Sequence, residues 1–116
     1  MASISDLVSA LRRREGVGAV VVLGRDGLLI DGQADGLAAD DLAAHVPAIA
    51  TAADELGASA RSGSLTTALL EFGGSLAIVS VLSADALLLV LTSPGSHIGP
   101  LLFELRRHRE QIASLV

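Results

Sequence analysis

The feature that most limits how this chain can fold is a set of three short apolar runs in its second half. They cover residues 65–72, 75–82 and 86–92, and only two or three residues separate each run from the next. A parallel crossover needs about a dozen residues or more. The short connections therefore predict three antiparallel strands joined by hairpins.

The last two of these runs are apolar at successive positions. Residues 76–79 read Leu-Ala-Ile-Val, and residues 87–91 read Leu-Leu-Leu-Val-Leu. An antiparallel strand with one face in water alternates between apolar and polar residues. Since these strands do not alternate, we expect helices to cover both faces of their sheet.

The remaining elements follow from helical spacing, valine-rich runs and glycine breaks. Asp26-Gly27 is a strong signal for a hairpin turn, and Gly57 is expected to close a long central helix. The predicted elements are a helix over 4–15, strands over 17–23 and 27–30, a loop over 31–36, a helix over 37–56, strands over 65–72, 75–82 and 86–92, and a last helix from residue 97 or 98 onward.

This order predicts one domain over residues 1–116 with an α/β (α+β) fold, α-β-β-α-β-β-β-α. Five antiparallel strands form the central sheet. One helix covers one face, and the two terminal helices cover the other.

The central helix carries a predicted apolar stripe and many alanines outside it. Pro47 lies inside this helix and predicts a kink or a division into two helices. The alanines have two interpretations: small side chains let a second helix approach closely, and alanine is also the best helix former at exposed positions. The predicted stripe comprises Leu42, Val46, Ile49, Ala53 and Leu56.

Composition excludes several classes of function. The chain has no Cys, and all eight of its basic residues are Arg, which removes thiol chemistry, a P-loop lysine and Schiff bases. A net charge of −5 without Tyr or Trp argues against nucleic-acid binding. The first residues lack the basic start and apolar core of a signal peptide, and no apolar stretch is long enough to span a membrane. We therefore expect a cytoplasmic protein.

No catalytic, cofactor-binding or metal-binding set emerges, so we expect a protein that is not an enzyme and has no cofactor. His45, His97 and His108 lie on different predicted elements without the spacing of metal ligands. Arg25 and Arg61 are loop arginines that could act as an arginine finger or be solvated charges.

Five segments together resemble the roadblock family (the roadblock-type dynein light chain domain), and in particular its bacterial members. The resemblance covers about residues 4–116, and it depends on the order and spacing of the segments. They are the hairpin residues 16–22 and 25–30, the alanine-rich helix ending at 56–57, the strand residues 69–74, and the ending at 99–107.

The resemblance implies a homodimer in bacterial signalling. In the family, the middle helices of two copies pack together and the third strands pair into one continuous sheet. The resemblance also implies binding to a Ras-like small GTPase, either as a GTPase-activating protein that reorders the GTPase's own residues or as a scaffold. Local sequence agrees, because residues 65–72 would otherwise form an exposed apolar edge.

The candidate interface is the exposed side of the middle helix together with the third strand. Two other functions remain open: a ligand-sensing module with a pocket between sheet and helices, and a structural adaptor that clusters a sensor kinase or a filament. Sequence does not separate residues of a dimer seam from residues that contact a partner. The candidate residues are Asp41, Ala44, His45, Ala48, Ala52, Glu55, Thr67 and Leu69.

Overall fold

A five-stranded antiparallel sheet lies at the centre of the computed structural model, which describes residues 3–116. The elements are α1 (Ile4–Arg12), β1 (Val17–Gly24), β2 (Leu29–Ala34), α2 (Ala39–Ser59), β3 (Thr67–Glu71), β4 (Leu76–Val81), β5 (Ala86–Thr92), α3 (Gly99–Arg107) and α4 (Arg109–Ala113). The strand order of the sheet is β2-β1-β5-β4-β3, so β1 and β5 lie inside the sheet and β2 and β3 form its two edges.

Helices cover both faces of this sheet, which explains the successive apolar residues of the strands. Leu87 and Leu89 pack in a core beneath α2, whereas Leu88 and Val90 pack in a second core beneath α1, α3 and α4. All four side chains are buried. The predicted fold, with one helix on one face and the terminal helices on the other, is confirmed.

The second strand differs from the prediction. We expected a strand over 27–30 followed by a loop, but β2 continues through polar residues to Ala34. Gln33 Nε2 donates to Ser9 Oγ at 3.0 Å, so α1 satisfies a polar side chain on this edge strand. Polarity was therefore a poor indicator of loop structure here.

The last helix is also divided where one helix was expected. His108 separates α3 from α4 and has a non-helical backbone, with φ −105° and ψ 14°. Leu105 and Ile112 on either side of the break both reach the core beneath α1. Among the described residues, no helix combines the length and the hydropathy required to cross a bilayer.

The central helix is continuous through Pro47, so it is not divided into two. It also passes through Gly57, which the sequence had predicted to end it, and stops after Ser59. Gly57 has a different structural role, because a Cβ at this position would lie well inside contact distance of the carbonyl oxygen of Gly63. The loop after α2 therefore rests directly on the helix backbone.

The Gly57→Ala substitution is expected to lower the free energy of unfolding by about 1–3 kcal/mol, because overpacking against a backbone oxygen forces a shift. Alanine would otherwise stabilise a helix interior by about 1 kcal/mol relative to glycine. Urea unfolding followed by far-UV circular dichroism measures the difference. Gly99→Ala is the control, since a Cβ there meets no atom within 4 Å. Equal stability of the two variants would contradict this interpretation.

Candidate partner-binding surface

The side of α2 that faces the sheet is built from small residues. Ala43, Val46 and Ala50 are buried and belong to the core beneath this helix. Their spacing of three and four residues places them on one helix face. Alanine at two of these positions lets the helix backbone lie close to the sheet.

This arrangement corrects the predicted apolar stripe. Val46 is the only fully buried member of that stripe; Leu42, Ile49 and Ala53 are half-buried, and Leu56 is 70% exposed. The helix is rotated so that alanines contact the sheet, and the larger residues lie at the margin or outside. Helical spacing alone could not distinguish this orientation, because alanine fits both a close contact and an exposed surface.

The outer face of α2 contains all six helix residues of the predicted interface. Alanines at positions 44, 48 and 52 recur every fourth residue, and Leu56 continues the series. Sequence reasoning missed Leu56 because it had been assigned to the core. The residues that the structure places together and exposed are Asp41, Ala44, His45, Ala48, Ala52 and Glu55.

Thr67 and Leu69, the other two candidates, lie on the opposite face of the sheet. They pair with Ser80 and Ile78 of β4, and Ile78 belongs to the core beneath α1 and α3. Arg109 Nη2 donates to Thr67 Oγ1 at 3.1 Å, whereas Leu69 is exposed. Both residues are on the edge strand β3. The predicted interface therefore has two parts on opposite faces of the sheet: the outer face of α2 on one, and the side chains of Thr67 and Leu69 on the other.

Half-buried apolar residues continue the sheet surface beside α2. Ala68 and Leu70 of β3 and Val81 of β4 pack against the core beneath α2 but remain partly exposed. The sheet therefore extends past α2 as a shallow apolar shelf, which we define as Ala68, Leu70 and Val81. The shelf ends at the unpaired edge of β3.

A carboxylate that the sequence had not indicated holds the loops near the end of α2. Asp54 Oδ1 accepts a hydrogen bond from the Leu65 backbone N–H at 2.7 Å, and its Oδ2 accepts one from Arg25 Nη1 at 3.0 Å. The Leu65 hydrogen bond, followed by that from Arg25, lowers the pKa of Asp54 below its ordinary value. Arg25 is thus half-buried and bonded to Asp54. Of the two arginines that could act as an arginine finger, only Arg61 is exposed.

The Asp54→Asn variant is expected to unfold more easily than the parent at pH 7, because the ionised carboxylate stabilises the fold. The pKa of Asp54 is lowered in the folded state. Its contribution is therefore complete above the ordinary aspartate pKa, about 4, and is lost as pH falls through the lower folded value. Urea midpoints should differ at neutral pH and converge in acid.

The matched control for this experiment is Glu55→Gln, which removes an exposed carboxylate next to Asp54 and outside the first turn of the same helix. It should leave the urea midpoint nearly unchanged at both pH values. If the gap between Asp54→Asn and the parent stayed constant down to acid pH, the ionised carboxylate would not be the source of the stabilisation.

An open cleft of about 520 Å³ lies between α1 and the last two helices. Two of its polar side chains already have partners: Glu104 pairs with Arg14, and His108 Nδ1 lies 2.7 Å from Gln111 Oε1. A ligand site usually presents convergent polar groups that are free to orient a bound molecule. The cleft gives the ligand-sensing interpretation little support. Within residues 3–116, no group of three or more His, Cys, Asp or Glu side chains could hold a metal ion.

Comparison with known proteins identifies the family. The Roadblock/LC7 domain model matches residues 4–92, which is most of the sequence. The chain belongs to the Roadblock/LC7 family. The resemblance seen in the sequence is thereby confirmed. No curated protein matches the chain.

Solved structures share the fold of this roadblock domain. A Roadblock/LC7 domain from Streptomyces avermitilis has a TM-score of 0.84 at 22% identity, over 97% of this chain and 96% of that one. MglB from Myxococcus xanthus has a TM-score of 0.83 at 14% identity, over 96% and 88%. An MglB with a tetrameric arrangement has a TM-score of 0.83 at 17% identity, over 96% and 85%.

Proposed function

We propose that this roadblock domain is a non-catalytic homodimer that binds a Ras-like small GTPase in the cytoplasm and regulates its GTP hydrolysis or its localisation. The observation that carries the proposal is the outer face of α2, which is exposed and carries alanine at positions 44, 48 and 52. It lies on the same side of the sheet as the apolar shelf that runs to the unpaired β3 edge.

Self-association would use both of these features. Two copies related by a twofold axis could pair their β3 edges and extend the sheet, which removes an exposed edge. Their α2 helices would then approach through Ala44, Ala48 and Ala52, where small side chains permit close contact. Leu56 and the apolar shelf would become buried in the same contact. The tetrameric arrangement of a related MglB supports self-association on this fold.

The partner assignment rests on the family, since the resemblance implies binding to Ras-like small GTPases. Asp41, His45 and Glu55 supply polar groups along the alanine face, where a partner could be recognised. Arg25 is already engaged by Asp54. This favours regulation through the GTPase's own residues, or simple scaffolding, over a donated Arg25.

The test is affinity capture of the tagged chain from its native host, with a GTP analogue or GDP present. Protein must be quantified by refractive index because the chain has no Tyr or Trp. Recovery of a small GTPase in one nucleotide state, reproduced with the purified GTPase, would support the proposal and justify a hydrolysis assay. Recovery of a sensor kinase or filament protein alone, in both states, would replace it with the structural adaptor.

A further inference from the structure

The edge strand β2, at the opposite end of the sheet from β3, has no role in the proposed dimer. Within the part of the chain that the structure describes, it pairs with β1 on one side and has no strand on its other side. An edge strand presents unpaired N–H and C=O groups that can accept a further strand. This edge is therefore a second possible site of association on the molecule.

Exposed apolar side chains are concentrated at this edge. Among residues 3–116, nine large apolar side chains are exposed, and four of them lie within residues 28–37. α1 and α2 contact the two faces of β2 and yet leave these side chains 40–69% exposed. Three of them are consecutive at one end of β2 and the fourth follows its other end, and exposed apolar clusters on a folded domain mark interaction sites. The four residues, which we call the β2 patch, are Leu28, Leu29, Ile30 and Leu37.

The local backbone limits how another strand could pair here. The register between β1 and β2 shifts at Val22 and Leu23, where Leu29 lies opposite Leu23 and Ile30 has no counterpart. Bulges of this kind interrupt pairing and redirect side chains at sheet edges. Regular pairing is thus available from Asp31 to Ala34, with apolar contacts from the β2 patch at both ends.

The same segment also holds the net charge of the chain. Residues 26–41 contain five Asp and no basic residue, whereas the rest of the chain has eight acidic and eight basic residues. Asp35 forms an ion pair with Arg12, but Asp40 and Asp41 are exposed in the first turn of α2. The surface around the β2 patch is therefore both apolar and acidic.

We propose that the β2 edge binds an extended segment of another protein, which adds to the sheet as a strand and carries basic residues among apolar ones. Added strands gain affinity from main-chain hydrogen bonds and specificity from alternate side chains. A second copy of this chain is a poor occupant, because pairing β2 with β2 would bring the two acidic segments together. The proposal does not require the α2 and β3 interface, although both surfaces include Asp41 at the start of α2.

The experiment uses the whole chain labelled with ¹⁵N, and a synthetic nonapeptide in which valine alternates with arginine and threonine. Addition of the peptide should shift the amide resonances of residues 28–34 and slow their hydrogen exchange. A second peptide of the same sequence, N-methylated at every valine and threonine, keeps the charge but cannot pair as a strand. It should bind at least about tenfold more weakly, the equivalent of about 1.4 kcal/mol.

A pair of matched variants separates the apolar contact from simple charge attraction. Ile30→Glu should weaken binding of the first peptide by about tenfold, since it removes an apolar side chain that the bound strand would cover. Phe103→Glu, which changes an exposed apolar residue of α3 in the same way, should leave the affinity unchanged. Both variants add one negative charge. If charge attraction alone drove binding of the arginine-containing peptide, both variants would bind it more tightly.

Four results would overturn the proposal. They are no binding of the first peptide, equal binding of the N-methylated peptide, amide shifts located on β3 instead of β2, and self-association that Ile30→Glu abolishes. The last result would assign the edge to a second copy. Loss of the α2-mediated dimer or of GTPase binding would leave the β2 proposal unaffected, so the two proposals fail separately.

Discussion

Replacing Ala48 by glutamate is expected to convert the chain from a dimer to a monomer at micromolar concentration and to abolish capture of the GTPase. Ala48 lies at the middle of the outer face of α2, where the proposed twofold contact leaves room for a methyl group only. A glutamate from each copy would place two like charges in a dry contact, a change that costs several kcal/mol. Because about 1.4 kcal/mol already makes association tenfold weaker, a cost of this size should prevent dimerisation at micromolar concentration.

The measurement is molar mass by size-exclusion chromatography with light scattering and refractive-index detection. Ala58→Glu provides the control, because it makes the same change at an exposed position nearer the end of the same helix. That variant should remain dimeric. Circular dichroism should show that both variants are folded, since neither position contacts the core.

The outcome also separates the two roles that the α2 face could have. A monomer that no longer binds the GTPase would indicate that the seam is required for the partner site. A dimer that has lost the GTPase would assign the outer face of α2 to the partner and leave the β3 edge as the seam. A dimer that keeps the GTPase would remove this face from both roles and contradict the assignment of the interface to α2.

The layered fold could be predicted because it depends on burial, and burial leaves a clear pattern in sequence. Residues 76–79 and 87–91 are apolar at successive positions, so a helix was required on each face of the sheet. The short connections between the strands fixed an antiparallel order. The structure confirms both inferences, with separate cores beneath α2 and beneath the terminal helices.

Errors arose where a local signal competed with a tertiary contact. Residues 31–34 are polar or small and were expected in a loop, but pairing with β1 and the contact from Gln33 to Ser9 place them in β2. Gly57 usually would end a helix, but here it makes room for Gly63. Ser9 lies far from Gln33 in sequence, and the approach of Gly63 to Gly57 depends on how the loop after α2 folds back onto the helix.

The exposure of the candidate residues on α2 was predictable in part. Helical spacing correctly placed Ala44, Ala48 and Ala52 on an exposed face. It assigned Leu56 to the core, because periodicity reports that one side of a helix is apolar and does not report which side meets the sheet. The role of Asp54 depends on Leu65, which lies in the next loop, and so had no signal in the helix itself.

The second large effect is expected from truncating adjacent leucines in the central strand β5. Leu87 and Leu88 are both fully buried, and they belong to the two different cores on opposite faces of the sheet. Leu87→Ala and Leu88→Ala should each lower the free energy of unfolding by about 2–5 kcal/mol. For a domain whose total stability is about 5–15 kcal/mol, either change removes a large share.

If Leu87→Ala and Leu88→Ala lower the free energy of unfolding by similar amounts, the sheet must be covered on both faces. In a sheet with one wet face, one leucine of any adjacent pair would be exposed and its truncation nearly neutral, within about 0.5 kcal/mol. Leu37→Ala supplies that reference value, since Leu37 is exposed outside the strands. Urea unfolding should be recorded at several protein concentrations, because dissociation of a dimer contributes to its apparent stability. A Leu87→Ala variant as stable as Leu37→Ala would mean that α2 does not pack on this face, and the proposed α2 interface would then lose its structural basis.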